Sequence, residues 1–431
     1  MNALPCRGAT TKAGALALAL AAFASAGAAL PVNAAAQDEP PAHASAALTR
    51  NATSDVRSRH PGAACYEARV PVSVEKIGKA HLYGQLCQPR RGTATSRTVQ
   101  LLVPGSTYNH TYYDMPVKSS RYSYVSKALD AGFSTFDIDR LATGRSTLPP
   151  SSLYTLDSGT EAIHQVVAKL RGGGIRNRTF DKVVWVGHSL GSSMAWAQAE
   201  KYDGDIDAFV LTGMSHVVRD EDPSGGGPGE DVPFEIRAMD DPKFHGRIND
   251  PGYWTTNAGM RQFFYYAPAT DPAVIEADER FKDVSTAADS EGANLPPAQS
   301  PSRSIKVPTL LVVGDKDQYC TTGICTRESM LAHEGPYYSE RADLEAIVVP
   351  DSGHNVQLHE SAPRTNAAIL QWIRDAMPYA PAAPATYCLV TALFLEQCGV
   401  ELDCTVKSKM RPEGGRTRRG RRPSCGRPAG P

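Results

Sequence analysis

The sequence predicts an α/β protein: a mostly parallel sheet flanked by helices. Two observations carry this expectation. Short apolar runs of five or six residues alternate repeatedly with stretches of helical periodicity. The chain, 431 residues with 41% apolar and 21% charged side chains, can also bury a full core. That composition excludes disorder throughout, a collagen-like repeat and a polytopic membrane protein.

In chain order, strands are expected at 70–76 and 81–88, then at 98–103, followed by a helix over 121–131. A strand at 133–138 leads to a helix over 160–170, closed by Gly172-Gly173-Gly174. The buried run 182–186 precedes a small-residue helix at 191–201, and a further strand is expected at 208–212. The rhythm then breaks. Residues 215–303 hold a Gly/Pro-rich stretch at 223–229, several Asp-Pro pairs and the aromatic run Phe263-Phe264-Tyr265-Tyr266. About 90 residues without strand alternation read as an insertion on the sheet, a lid, rather than a loop. Strands resume at 309–313 and 345–349, and 362–377 makes a last amphipathic helix.

The termini differ from the body. Residues 1–36 read as a secretory signal: Arg7 and Lys12 precede an Ala-rich apolar run, and Asn33-Ala34-Ala35-Ala36 supplies small residues for cleavage. A membrane anchor is disfavoured because the run is barely long enough and poor in Leu and Ile. Residues 37–60 read as a flexible leader, 61–377 as the folded domain, and 378–431 as a Cys-containing, then basic extension. Its last part, residues 406–431, carries nine of the 45 Lys/Arg and one of the 46 Asp/Glu, which leaves the rest acidic by nine charges. An acidic body argues against nucleic acid as a partner. Cleavage leaves eight cysteines in an oxidising compartment; Cys65–Cys87 and Cys320–Cys325 are the plausible pairs, with the other four stapling the tail. A zinc site is disfavoured, since no Cys-x2-Cys pair occurs.

Chemistry concentrates at Gly187-His188-Ser189-Leu190-Gly191, where a buried strand runs directly into a helix. A serine on such a turn presents its hydroxyl above the sheet edge. A hydroxyl is a poor nucleophile until a base takes its proton, so a carboxylate and a histidine are expected downstream. Asp317 follows one strand and His354 follows the next. Asp315 competes for the acid role and His359 for the base, while His110 and His216 are possible site residues or ordinary loop residues. Trp254 and the 263–266 aromatics either form an acyl pocket or pack the lid onto the body.

These motifs resemble the α/β-hydrolase superfamily, in its lipase/esterase-like branch, over about residues 65–377. The resemblance rests on the 187–191 elbow, Gly314-x-x-Asp317, Gly353-His354 and the segment 137–146, which has Leu141 where a glycine is commoner. It implies an α/β-hydrolase fold with a Ser189–Asp317–His354 triad and an oxyanion hole made by the Ser106 and Leu190 amides. The oxyanion loop departs from the family pattern, with Pro104 where a bracing histidine is usual. The expected activity is that of a secreted serine hydrolase cleaving uncharged, partly apolar carboxylic esters, with no metal or organic cofactor and no stable membrane span. Lactones, thioesters or amides suit the same machinery, and a non-catalytic binding protein is the alternative from another class. Asn51, Asn109 and Asn177 head glycosylation sequons; a glycan on Asn109 would obstruct the oxyanion loop.

Overall fold

The computed structural model describes residues 59–90, 97–216, 232–290, 295–317, 319–320 and 325–377. The expected signal (1–36), most of the expected leader (37–60) and the extension 378–431 lie outside the described residues. The main sheet contains β1 (Ala63–Val74), β2 (Gly78–Pro89), β3 (Thr98–Val103), β4 (Ser134–Ile138), β5 (Lys182–His188) and β6 (Ala208–Thr212). The inserted segment adds β7 (Glu235–Arg237), β8 (Tyr253–Thr256) and β9 (Ser285–Thr286), and the main sheet ends with β10 (Thr309–Gly314) and β11 (Leu344–Val349). The main helices are α1 (Tyr124–Asp130), α2 (Leu156–Gly172), α3 (Leu190–Lys201), α4 (Pro272–Phe281), α5 (Arg327–Glu334) and α6 (Ala362–Ala376).

Strand order across the eight-stranded sheet is β1-β2-β4-β3-β5-β6-β10-β11. The β1–β2 hairpin and the β2–β4 pair are antiparallel; every pairing from β4 onward is parallel. Side chains therefore alternate between two buried faces. Leu101, Val183, Trp185 and Leu311 join one core with Ile163, Val166 and Val167 of α2 and Met194 of α3. Leu102, Val184, Val186 and Leu310 join the other with Val125 of α1 and Ile369 and Ile373 of α6. Helices on both faces are what such a sheet requires.

The hairpin strands run longer than the sequence periodicity predicts, twelve residues each. The reason is that Tyr66, Glu67, Ala68 and Arg69 lie in a ladder whose outer side is only partly covered, so their polarity conceals the strand. Cys65 sits directly opposite Cys87 in that ladder, and the two are disulfide-bonded, as are Cys320 and Cys325. Helix α2 starts four residues earlier than expected because Thr155 and Ser158 form a capping box, and it closes on Gly173 at φ 79°. In the segment 137–146 left-handed backbone falls at Ala142 (φ 71°), one residue after Leu141, and at Gly144 (φ 56°).

Between β6 and β10 the described residues form a three-stranded antiparallel sheet, β7-β8-β9, and helix α4. Asp271 caps α4 by accepting the Ala273 N–H, and Pro272 opens its first turn.

Candidate active site

The carboxyl ends of β3, β5, β6, β10 and β11 share one edge of the parallel sheet, where α/β proteins place their ligands. Ser189 follows β5 and is the N-cap of α3, at φ 51° and ψ −118°, a conformation a serine adopts only when its surroundings enforce it. Its N–H donates to the Thr212 carbonyl at 2.8 Å, fixing the turn to β6. A side chain at Gly191 would lie 2.0 Å from the Val103 carbonyl oxygen, so only glycine lets α3 approach β3 this closely. Ser189 itself is partly exposed at the edge.

Asp317 and His354 leave the ends of β10 and β11. His354 Nδ1 lies 3.1 Å from Asp317 Oδ1 and 3.3 Å from Oδ2, and both residues are buried. Asp317 Oδ1 also accepts the Tyr319 N–H. The two loops cross closely because position 314 is glycine: a Cβ there would sit 2.0 Å from the Ser352 carbonyl oxygen. Asp315 points elsewhere. Its Oδ1 accepts the Ser352 N–H at 3.3 Å, and Oδ2 pairs with Lys316 at 3.0 Å.

The remaining histidines have other partners. His359 accepts the N–H groups of Gly353 and Tyr266 on Nε2, each at 2.9 Å, and Nδ1 donates to the Asn355 carbonyl. Burial pulls its pKa down to about 4, consistent with a neutral ring that accepts two amides. His188 stacks on Tyr112 and contacts Thr212 Oγ1 and Asn355 Oδ1; burial, reinforced by His354, holds its pKa well below the usual histidine range. His110 is bonded to Asp139 at 2.7 Å. His216 lies between the Trp196 and Tyr337 rings and bonds Glu334 at 2.7 Å.

The loop expected to hold the oxyanion leaves β3 at Pro104. Gly105 packs against the Ser189 turn, where a Cβ would lie 3.0 Å from Ser189 Cβ. Ser106 is partly exposed, and Leu190 is the first residue of α3, where backbone N–H groups have no intrahelical acceptor. The Asn109 amide donates to Asp283 Oδ2 and to the Phe281 carbonyl, bonds that a glycan on that nitrogen would disrupt. The aromatic run divides. Phe263 is exposed, the Phe264 ring lies 5.4 Å from the His354 ring, and the Tyr265 hydroxyl donates to buried Asp278. Among the described residues no cluster of three or more His, Cys, Asp or Glu side chains is arranged to hold a metal. No helix there is long and apolar enough to cross a membrane.

One group of residues carries no motif in the sequence. Arg261, Asp278 and Asn355 form a buried polar cluster behind the site, and their only advance sign was the adjacency of Asn355 to His354.

A mostly parallel eight-stranded sheet, with a serine on a strained strand-to-helix turn and an Asp–His pair on later strand ends, is the architecture of an α/β-type hydrolase. The chain belongs to the alpha/beta hydrolase family, whose profile matches residues 100–368. No curated protein matches it in sequence. Among solved structures it is similar to a thermophilic esterase from Thermogutta terrifontis, with 19% identity, a TM-score of 0.45, and 72% of this chain and 99% of that one covered. It is also similar to a monoacylglycerol lipase from Paleococcus ferrophilus (17%, TM-score 0.45, 69% and 99%) and to the peroxisomal α/β-hydrolase Lpx1 of Saccharomyces cerevisiae (14%, TM-score 0.46, 79% and 98%).

Proposed function

We propose that the protein is a secreted serine hydrolase that cleaves carboxylic esters through an acyl-enzyme. The observation that carries this reading is the Asp317–His354 pair on the same sheet edge as the left-handed Ser189 turn. In this mechanism His354 Nε2 takes the Ser189 proton as Oγ attacks the ester carbonyl carbon. Asp317 holds the Nδ1–H and stabilises the imidazolium. The Ser106 and Leu190 amides receive the negative charge that develops on the carbonyl oxygen. Collapse of the tetrahedral intermediate breaks the ester C–O bond, and the leaving alkoxide takes the proton from His354. A water molecule, deprotonated by His354, then attacks the acyl carbonyl and releases the carboxylic acid and Ser189.

The substrate class follows from what faces the base. Phe264 flanks His354, and the acidic body disfavours strongly anionic substrates, so an uncharged, partly apolar ester fits best. Export is supported by the apolar leader and by two disulfides, which persist in oxidising compartments.

The test is covalent labelling. A fluorophosphonate should modify Ser189 of the wild-type enzyme stoichiometrically, and Ser189→Ala should lose both labelling and ester hydrolysis while keeping the wild-type unfolding midpoint. Retention of a tenth of the turnover by Ser189→Ala would remove the nucleophile assignment.

A further inference from the structure

The oxyanion loop carries Pro104 where a side-chain brace is expected, yet two buried arginines grip its backbone from other parts of the chain. Arg140 donates from Nη2 to the Gly105 carbonyl at 3.0 Å. Arg261, from the inserted segment, donates from Nη1 to Thr107 Oγ1 at 2.7 Å and approaches the Thr107 carbonyl at 3.4 Å. The Thr107 carbonyl also accepts the Asp283 N–H at 2.7 Å, so a second residue of the inserted segment holds the same peptide. Thr107 needs holding. It stands at φ 57°, left-handed backbone that a β-branched residue avoids unless its surroundings impose it.

The guanidinium does more than grip one residue. It lies 3.9 Å from the Tyr108 ring centroid and 5.2 Å from that of Phe264, and Nη2 pairs with Asp278 Oδ1 at 2.6 Å. Asp278 Oδ2 in turn accepts from the Tyr108 hydroxyl at 3.0 Å and the Tyr265 hydroxyl at 2.8 Å. The Asn355 amide donates to the Tyr108 hydroxyl at 2.7 Å, and Asn355 Oδ1 faces His188 Nε2 at 3.1 Å. With the His188 proton assigned to Nε2, the hydrogen bonds run continuously from His188 through Asn355 and Tyr108 and end on the Arg261–Asp278 pair, where Arg261 Nε is left without an acceptor. It therefore joins the oxyanion loop, the residue before Ser189 and the residue after His354.

We propose that Arg261 is a positioning residue that holds the oxyanion loop of this hydrolase in its transition-state geometry from the inserted segment. The inference rests on the serine hydrolase reading given above. Its physical basis is preorganisation: an amide aimed at a developing oxyanion contributes fully only if it does not have to reorganise during reaction. Lysine at 261 retains the charge beside Asp278 but has no planar fork to span Asp278 and Thr107 together.

The experiment compares wild type with Arg261→Lys and with Thr107→Val, which keeps the branching but removes the hydroxyl that accepts from Arg261 and donates to the Ser106 carbonyl. Three quantities are read: kcat and KM on p-nitrophenyl butyrate, inhibition by an alkyl trifluoromethyl ketone, and inhibition by the ether isostere of the substrate. The ketone forms a tetrahedral adduct with an oxyanion; the ether reports the acyl pocket alone. Both variants should lose about tenfold or more in kcat with KM within about twofold. The ketone should weaken in proportion to kcat/KM while the ether is unchanged. A folded variant with unaltered kcat, or equal weakening of both inhibitors, overturns the proposal. If Arg261→Lys does not fold, Thr107→Val decides by the same criteria. A wild-type enzyme that fails to take up the fluorophosphonate at Ser189 would instead remove the underlying hydrolase reading.

Discussion

The Asp317 carboxylate faces His354 Nδ1 at 3.1 Å, whereas Asp315, two residues earlier, spends its oxygens on the Ser352 N–H and Lys316. The difference comes from the turn after β10. The Asp315 and Lys316 amides bond back to Val349 and Ser352, so that turn runs alongside the β11 exit and leaves Asp317 as the first carboxylate beyond it.

This relationship predicts unequal mutants. Asp317→Asn should lower kcat by about three to four orders of magnitude, because a neutral amide neither fixes the productive tautomer nor stabilises the imidazolium. Asp315→Asn loses a partly exposed ion pair and one long hydrogen bond, so its kcat should stay within about tenfold. Steady-state kinetics on one p-nitrophenyl ester decides, and the reverse order would transfer the acid role to Asp315.

His359 makes stability depend on pH. Its folded pKa, pushed to about 4 by burial, lies below the ordinary histidine value of 6.5. The unfolded chain therefore takes up a proton below pH 6.5 that the native state refuses until about pH 4. Stability falls across that window, by about 3 kcal/mol in total for a shift of this size. The displaced interactions are the Gly353 and Tyr266 amides, the first of which adjoins His354. His359→Gln should be less stable at pH 7.5 by about 1–3 kcal/mol and show a flatter acid limb. Urea unfolding at pH 7.5, 5.5 and 4.5 measures both; an acid limb as steep as wild type would assign the sensitivity elsewhere, with buried His188 the next group to examine.

Legibility in the sequence tracked how local the physics was. β3, β6, β10 and β11 fall within a residue of their expected bounds because each is an apolar run with a polar boundary. Ser189, Asp317 and His354 stand out as candidates because they lie one, three and five residues beyond the ends of β5, β10 and β11. Helix α4 carried a start signal in Asp271-Pro272 but was masked by the other Asp-Pro pairs, and α5 carried one in the Thr326–Ser329 capping box. The Arg261–Asp278 pair had none. Its partners are seventeen residues apart in sequence, and its purpose becomes visible only where Thr107, Tyr108 and Asn355 meet it in space.

The aromatic run supplies the last prediction, since two adjacent phenylalanines occupy different environments. Phe264 is half-buried, with its ring 5.4 Å from His354 and 5.5 Å from Phe234, and its carbonyl accepts the Asn355 N–H at 3.1 Å. Phe263 is 39% exposed. If the inserted segment forms the acyl-binding wall, only Phe264 stands where a substrate bound at His354 would touch it. Phe264→Ala should therefore change the ratio of kcat/KM between octanoyl and acetyl esters by about tenfold, the scale set by apolar contacts in a pocket. Phe263→Ala should leave the ratio within about twofold. Urea unfolding run alongside separates specificity from packing, because truncating a half-buried phenylalanine should also cost about 1–3 kcal/mol of stability. An unchanged chain-length ratio in Phe264→Ala, with that stability loss present, would make Phe264 a packing residue and place the acyl chain elsewhere.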